Sequence, residues 1–205
     1  MSAIKFIYFD LGNVLLNFSH QRMVDQVAAV AGVSSTIVQQ NLFDNDLENR
    51  YETGEFNSIQ FHAEFCRLID QECDLDDFLT ACGDIFWLNE SAMPVVSQLA
   101  PLSIGMGVLS NTCEAHWDFA MKRFSALRQF FPVCVTSFEA KSMKPDARIY
   151  QVAIERAGVS PGEIFFTDDK PENVQAALSA GFDAVLFTTA NQLLSDLAKR
   201  GVGVG

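Results

Sequence analysis

The sequence predicts an α/β fold, in which helices cover both faces of a parallel sheet and a separate helical block follows the first strand. The first part of residues 5–14, up to Asp10, has the apolar, β-branched and aromatic composition of a strand that is buried on both faces. From residue 91 onward, short apolar strands alternate with helical segments. This alternation is typical of βαβ units with right-handed crossovers, which place their strands in one parallel sheet.

Residues 16–90 show the spacing of apolar side chains that amphipathic helices have, and no strand pattern. So many successive helices cannot form a single crossover between two strands. We therefore expect residues 16–90 to form a helical subdomain inserted after the first strand, and residues 1–15 and 91–205 to form the core. The predicted helices begin at Ser19, at Ser34 or Ser35, at Ser58 and at Asp74, and the last one runs to Trp87.

The second half of the chain supplies the remaining strands of the sheet and the helices that cover it. Gly181 is expected to close one helix, and residues 201–205 are expected to fray at the end of the chain. The predicted strands cover 104–109, 133–136, 163–167 and 184–187, and the predicted helices cover 94–99, 116–127, 146–157, 172–180 and 192–199.

Composition narrows the classes of partner that the protein can have. A formal net charge of −12 argues against a nucleic-acid surface, because neutralising phosphates needs clustered Lys and Arg. No signal peptide or membrane-spanning run is expected. The odd number of cysteines, five, without a C-x-x-C pair favours reduced thiols in a cytoplasmic protein, and the three histidines lack metal-ligand spacing. The cysteines are Cys66, Cys73, Cys82, Cys113 and Cys134, and the histidines are His20, His62 and His116.

Polar side chains follow successive predicted strands, at Asp10, at Ser110 and Asn111, and at Asp168 and Asp169. The carboxyl ends of parallel strands meet at one edge of the sheet, where ligands of open α/β folds bind. Three carboxylates gathered there repel one another unless a cation lies among them or one is protonated. Oxygen ligands without His or Cys favour Mg²⁺. We therefore predict a Mg²⁺ site, beside which the Ser110 hydroxyl and the Lys144 ammonium of a later loop can hold an anion.

The order of these residues resembles the four motifs of the haloacid dehalogenase-like hydrolase superfamily over essentially the whole chain. The resemblance implies a three-layer, Rossmann-like core with the first strand at its centre, and an all-helical cap in the inserted block. It also points to the phosphatase-type subgroup whose first motif reads Asp-Leu-Gly-Asn. The matching motifs are Phe9-Asp10-Leu11-Gly12-Asn13-Val14-Leu15, Val108-Leu109-Ser110-Asn111, Lys144-Pro145-Asp146-Ala147-Arg148-Ile149-Tyr150, and Phe165-Phe166-Thr167-Asp168-Asp169 with Asn173.

The resemblance implies that Asp10 is the nucleophile of an enzyme that forms an aspartyl-phosphate. It implies that Mg²⁺ is bound by Asp10, the backbone carbonyl of Gly12 and Asp169, with Asp168 a direct or indirect partner. Phosphoryl transfer depends chiefly on such positioning and electrostatics.

The remaining motif residues are implied to hold the substrate. Ser110 and Asn111 would bind phosphoryl oxygens, and Lys144 would offset the charge on Asp10 and on the transferred group. The predicted function is thus Mg²⁺-dependent hydrolysis of a phosphomonoester, with a small phosphorylated metabolite, such as a sugar phosphate, as the substrate.

Gly12 departs from the usual phosphatase pattern of the superfamily, which has a second Asp two residues after the nucleophile as general acid/base. The absence of such a group typically costs about 10²–10⁴-fold in rate, and less when the leaving group is good. Labile esters such as an anomeric sugar phosphate would still be hydrolysed. His20 and Asp25 are hypothesised substitutes for the absent carboxylate.

Two other functions stay open at this point. A hydrolytic 2-haloacid dehalogenase of the same superfamily also lacks the second Asp, uses its Asp nucleophile on carbon and needs no metal. The pair Asp168 and Asp169 argues against it, since these carboxylates would repel Asp10 without a cation. The loss at Gly12 alternatively fits a non-catalytic module that retains the site as a phosphate-ligand pocket.

Overall fold

A five-stranded parallel sheet forms the centre of the molecule, in a computed structural model that describes residues 3–203. The strands within the described residues are β1 (Phe6–Phe9), β2 (Leu16–Phe18), β3 (Phe86–Leu88), β4 (Gly105–Ser110), β5 (Val133–Thr136), β6 (Ile164–Asp168) and β7 (Asp183–Leu186). The strand order in the five-stranded sheet is β5-β4-β1-β6-β7, so the first strand of the chain is the middle strand of the sheet.

The register of the sheet brings the predicted polar residues to one edge. Phe9 at the end of β1 pairs with Val108 of β4 and with Thr167 of β6. Asp10, Ser110 and Asp168 therefore lie at or just beyond the carboxyl ends of three adjacent strands. The parallel sheet and its central strand are confirmed.

The two faces of the sheet pack against different helices, since side chains of a strand alternate between faces. Ile7 and Phe9 belong to one apolar cluster, and Phe6 and Tyr8 belong to the other. This gives the three layers that the sequence predicts. The helices are α1 (His20–Ala31), α2 (Ser35–Gln39), α3 (Leu47–Glu52), α4 (Ser58–Ile69), α5 (Leu75–Gly83), α6 (Met93–Leu99), α7 (Glu114–Arg123), α8 (Ser125–Phe130), α9 (Ser137–Ala140), α10 (Ala147–Ala157), α11 (Pro171–Ser179) and α12 (Ala190–Lys199), with a π-helical turn at Gln40–Asp44 and a 3₁₀ turn at Pro161–Glu163.

The inserted block packs around a third apolar cluster, which the helices α1 to α5 supply together with residues of α7. Ser19 and Ser34 cap α1 and α2 as predicted, because each side-chain oxygen accepts a hydrogen bond from the backbone N–H three residues on. Asn57, and not Ser58, caps α4, because its side chain and that of Gln60 bond reciprocally to each other's backbone N–H. The division of the chain at residues 15 and 91 stays a prediction.

The expectation of no strand between residues 16 and 90 is wrong at both ends of the block. β2 and β3 pair antiparallel, and α5 ends at Gly83 instead of reaching Trp87. Strands of three residues are too short to show a two-residue period, and each depends on a partner about 70 residues away in the chain. This ribbon joins the helical block to the core where the chain leaves and re-enters it.

The end of the chain differs from the expected frayed tail. Val202 is buried in the apolar cluster under one face of the sheet, while residues 204 and 205 lie outside the described residues. None of the helices within residues 3–203 combines the length and apolar character that crossing a membrane requires.

Candidate active site

Asp10 is held rigidly at the open end of the central strand. Its backbone N–H donates to the carbonyl of Thr167 at 3.0 Å, which continues the ladder between β1 and β6. Its side chain is only 10% exposed, and Oδ1 accepts hydrogen bonds from Leu11 N at 2.7 Å and from Lys144 Nζ at 2.8 Å. Asp10 is therefore a buried carboxylate with a fixed orientation, as a nucleophile requires.

Lys144 is a fully buried cation that links two carboxylates. Its Nζ donates to Asp10 Oδ1 at 2.8 Å, to Asp168 Oδ2 at 2.6 Å and to the carbonyl of Leu109 at 2.9 Å. Burial disfavours the charge, but the two carboxylates outweigh this effect and raise the pKa of Lys144. The ammonium stays protonated and has all three hydrogens engaged.

The loop that carries Lys144 is braced by Asn111. The Asn111 side-chain amide donates to the Lys144 carbonyl at 2.9 Å and its oxygen accepts from the Lys144 N–H at 2.8 Å. This reciprocal pair fixes the lysine backbone against the end of β4. Ser110 is buried beside it, and its hydroxyl donates to the carbonyl of Asn111 at 3.2 Å. The binding of phosphoryl oxygens by Ser110 and Asn111 stays a prediction.

Asp168 and Asp169 differ in the number of hydrogen bonds that their carboxylate oxygens already accept. Asp168 is completely buried and accepts from Lys144, from the Lys170 N–H at 2.8 Å and from Asn173 Nδ2 at 3.0 and 3.1 Å. Asp169 is half-buried, and its Oδ2 accepts from Asn13 Nδ2 at 2.9 Å. Asp169 thus keeps free acceptor capacity that Asp168 lacks.

The carboxylates of Asp10, Asp168 and Asp169 form a set that fits a small divalent cation. One oxygen from each lies within 4.8 Å of the others. Two oxygens bound to Mg²⁺ at about 2.1 Å are separated by about 3 to 4 Å, so small side-chain shifts suffice. Burial raises the pKa of Asp10 to about 6, Lys144 opposes the rise and Asp168 adds to it, so a cation here would relieve unfavourable charge. Gly12 lines the same cleft.

The helical block closes the cleft over Asp10 with Phe18, His20 and Glu52. Glu52 lies at the end of α3, where its backbone carbonyl accepts from Ser137 Oγ of the core at 2.7 Å. Burial raises the pKa of Glu52 to about 7, while Lys170 lowers it and Asp10 raises it further. A carboxyl group with a pKa near neutrality therefore lines the cleft of Asp10 from the cap side.

Of the two hypothesised acid/base substitutes, only His20 lies at the cleft. Burial lowers its pKa, with the charge of Lys170 acting in the same direction, and its Nε2 lies 4.0 Å from Glu48 Oε1. Asp25 is exposed and accepts from Gln21 and Ser35 on the outer face of α1. The hypothesis for Asp25 is wrong, because the side of α1 that carries it faces away from the core.

Glu52 has no local signal in the sequence, since it lies in the acidic, polar stretch of residues 44–57. Many acidic residues stand in that stretch, and nothing local separates Glu52 from its neighbours. Only the docking of α3 on the core through Ser137 decides which of them reaches the cleft.

Comparison with known proteins decides the family. A family model described as haloacid dehalogenase-like hydrolase matches residues 4–181. The chain belongs to the haloacid dehalogenase-like hydrolase family. The relatives of this family member include both of the activities that its sequence leaves open. It is 24% identical to phosphatase MT3486 of Mycobacterium tuberculosis, over 97% of this chain and 96% of that protein. It is 34% identical to (S)-2-haloacid dehalogenase 4A of Burkholderia cepacia, over 90% of this chain and 83% of that one.

A solved structure shares the fold of this hydrolase. The enzyme BT-2542 of Bacteroides thetaiotaomicron, crystallised in complex with magnesium and inorganic phosphate, superposes with a TM-score of 0.79. The alignment covers 91% of this chain and 95% of that one at 21% identity. This likeness confirms the Rossmann-like core with its cap.

Proposed function

We propose that this hydrolase is a Mg²⁺-dependent phosphatase that acts on a small phosphorylated metabolite through an aspartyl-phosphate. The observation that carries the proposal is the group of buried Asp10, Lys144 and Asp168 with half-buried Asp169 at the carboxyl ends of the central strands. Its carboxylates outnumber its cation, which favours a divalent metal there over metal-free chemistry. A phosphatase relative aligned over nearly the full length, and a structural neighbour that holds magnesium and phosphate, support the same conclusion.

Asp10 has the position that the first chemical step requires. One of its carboxylate oxygens would attack phosphorus, and the bond from phosphorus to the ester oxygen would break with the electron pair leaving on that oxygen. Lys144 keeps Asp10 in place and lowers the charge that accumulates on the transferred group. Water would then attack phosphorus, release inorganic phosphate and restore the Asp10 carboxylate.

The metal would be bound by Asp10, the Gly12 carbonyl and Asp169, with Asp168 holding Lys144 beside it. When bound, Mg²⁺ supplies positive charge next to the phosphoryl oxygens. The Ser110 hydroxyl and the Gly12 N–H would bind the remaining oxygens, since the N–H groups of Leu11 and Asn13 already donate to Asp10 Oδ1 and to the Leu16 carbonyl. The ligand assignment favours Asp169 over Asp168, since the oxygens of Asp168 are engaged by Lys144, Lys170 and Asn173.

We propose that Glu52 takes the place of the carboxylate that Gly12 lacks. It would give its proton to the leaving alcohol and then accept one from the attacking water. Glu52 lines the cleft opposite Asp10, and its helix is fixed to the core by Ser137. A carboxyl group with a pKa near the working pH is suited to both transfers.

The charge and the lining of the cleft support the proposed substrate class. Lys144 and Lys170 provide positive charge near Asp10 for an anionic group, whereas Phe18, His20 and Glu52 limit the space on the cap side. A small phosphate ester, such as a sugar phosphate, suits this combination. The free state of all five cysteines supports the reducing, cytoplasmic setting that their number suggests.

Release of phosphate from p-nitrophenyl phosphate, with Mg²⁺ and with EDTA, tests the proposal. We expect turnover that requires Mg²⁺ and disappears in Asp10→Asn. The 34% identity to a haloacid dehalogenase makes metal-free dehalogenation the second candidate, and chloride release from a 2-haloacid in EDTA would favour it. Binding of a phosphate analogue without turnover of any phosphate ester would instead indicate a non-catalytic module.

A further inference from the structure

The cap carries a second cluster of ligand-type side chains, formed by His62, Cys66 and Cys73. His62 and Cys66 lie one turn apart on α4, and Cys73 lies in the connection to α5. The Cys66 sulfur is 3.8 Å from the Cys73 sulfur, and His62 Nε2 is 3.4 Å from Cys66 Sγ and 3.6 Å from Cys73 Sγ. None of the three lines the cleft over Asp10.

These separations match the edges of a tetrahedral zinc site. Bonds of about 2.3 Å to sulfur and 2.0–2.1 Å to nitrogen, at tetrahedral angles, place two sulfurs about 3.8 Å apart and a sulfur about 3.6 Å from a nitrogen. The observed distances of 3.8, 3.6 and 3.4 Å differ from these values by at most a few tenths of an ångström. An ion could therefore enter with small side-chain adjustments.

The backbone brings the three residues together even when no ion is bound. Residues four apart lie on the same face of a helix, which aligns His62 with Cys66. The helix ends at Ile69, and the left-handed conformation of Asp70 (φ 54°) turns the chain back and returns Cys73 to the helix. The ring of Phe78 packs 5.2 Å from the ring of His62 and restrains its orientation.

The surroundings of the cluster suit a bound cation. Cys66 is buried, whereas His62 and Cys73 are half-buried, so an ion can reach the site from solvent. Glu72 and Asp74 stand on either side of Cys73 in the chain and place negative charge near its sulfur. Without an ion, His62 Nε2 lies 2.9 Å from the Cys73 carbonyl, a hydrogen bond that metal binding would replace.

We infer that His62, Cys66 and Cys73 bind one Zn²⁺ ion in the cap. The two thiols would lose their protons to solvent on binding, and His62 would bind through Nε2 with its proton on Nδ1. The described part of the chain offers three side-chain ligands, so water would take the fourth tetrahedral position. The ion would tie the end of α4 to the segment that leads into α5.

The test uses the full chain, reduced, stripped of metal and then dialysed against Zn²⁺ with Mg²⁺ in excess. We expect one equivalent of zinc in the wild type. Co²⁺ in place of zinc should give the visible absorption of a tetrahedral site and a thiolate-to-cobalt charge-transfer band. Loss of a direct ligand in Cys66→Ser should weaken zinc binding at least about 100-fold, because even indirect partners of a metal commonly contribute 10–100-fold.

Two controls locate the ion. Cys134→Ser removes a half-buried thiol of β5 and should keep full zinc content, and Asp10→Asn should also keep it, since the carboxylate cluster is a separate site. His62→Gln provides a second variant of the cluster in case Cys66→Ser folds poorly. A zinc-induced rise in melting temperature should be present in the wild type and both controls, and absent in both cluster variants.

Three outcomes would overturn the inference. One is a wild type that binds no zinc when reduced. Another is an unchanged affinity in both Cys66→Ser and His62→Gln. The third is a Cys66–Cys73 disulfide that forms readily, together with reduced thiols that do not bind zinc. That result would identify the two cysteines as a redox pair. Phosphatase activity is not part of the readout, so the result stands apart from the proposed function.

Discussion

Replacing Asp10 by Asn should abolish turnover and at the same time stabilise the metal-free protein. Asn keeps the shape of the side chain and an oxygen that can accept from Lys144, but it removes a carboxylate that is buried beside Asp168. The fold does not need the negative charge of Asp10, whereas the proposed chemistry does. Activity and stability should therefore change in opposite directions.

The raised pKa of Asp10 sets an upper limit on the stabilisation. Burial raises the pKa of Asp10 from 3.8 to about 6, and Asp168 adds to the rise, although the charge of Lys144 opposes both effects. A rise of about two pKa units corresponds to about 3 kcal/mol by which the folded environment disfavours the ionised carboxylate. The amide of the Asp10→Asn variant does not ionise, so the variant should be more stable by up to about 3 kcal/mol at neutral pH.

The raised pKa of Asp10 also determines how its contribution to the stability of the fold changes with pH. Between pH 3.8 and about 6 the folded protein holds a proton on Asp10 that the unfolded chain has released. The Asp10 contribution to stability therefore falls as the pH rises through this window and is lowest above it. The variant lacks this dependence, so its advantage over the wild type should be small at about pH 4 and full at about pH 7.5.

Urea denaturation in EDTA at both pH values measures the difference. Asp25→Asn, which removes an exposed carboxylate, is the matched control and should change stability little at either pH. Adding Mg²⁺ should stabilise the wild type more than the variant, since the ion binds the folded state through Asp10. An Asn variant that is less stable than the wild type at both pH values, with the same pH dependence, would refute the reasoning.

Three further predictions concern the cap, the core and the metal. Glu52→Gln should lower kcat by about 10²–10⁴-fold on alkyl phosphates and far less on p-nitrophenyl phosphate, whose leaving group needs no proton. Glu55→Gln, an exposed residue that pairs with Arg50 outside the cleft, is the control, and equal losses on both substrates would contradict the role of Glu52. His116 is buried, and burial lowers its pKa from 6.5 to about 3, so the unfolded chain binds a proton there that the folded chain does not. The wild type should lose about 2 kcal/mol relative to His116→Gln between about pH 7.5 and pH 5 in urea denaturation, and parallel pH profiles would count against this. Phosphatase activity removed by EDTA should return on titration with Mg²⁺, and Asp169→Asn should shift that titration to higher metal concentration with a smaller change in the rate at saturation; an unshifted titration would show that Asp169 is not a ligand.

The fold of the core could be predicted from the sequence because each of its strands has a signal within a few consecutive residues. Each strand of the sheet is an apolar run with a polar group at its end, and parallel pairing then brings Asp10, Ser110 and Asp168 together whatever the exact bounds are. The first and last residues of most predicted strands differ from the structure by one position, without effect on the residues beyond their ends.

Features that depend on contacts between distant segments could not be predicted. The pairing of β2 with β3, the position of Glu52 and the burial of Val202 are each determined by a surface from elsewhere in the chain. The cluster of His62, Cys66 and Cys73 could be predicted from the sequence only in part. Its first two members have helical spacing, but Cys73 reaches them only because Asp70 turns the chain.

Phe18 explains why the acid/base group would have to come from the cap. A Cβ added at Gly12 would lie 2.9 Å from Phe18 Cε1, so an Asp at this position would need the ring to move. Phe18 is itself held by β2 in the ribbon with β3 and by contact with the rings of His20 and Phe86. The ribbon therefore packs the ring of Phe18 against the backbone of Gly12, in the space that the side chain of an Asp at this position would need. Glu52 approaches the same cleft from α3, where no such conflict exists, so under the proposed mechanism closure of the cap and supply of the proton depend on the same element.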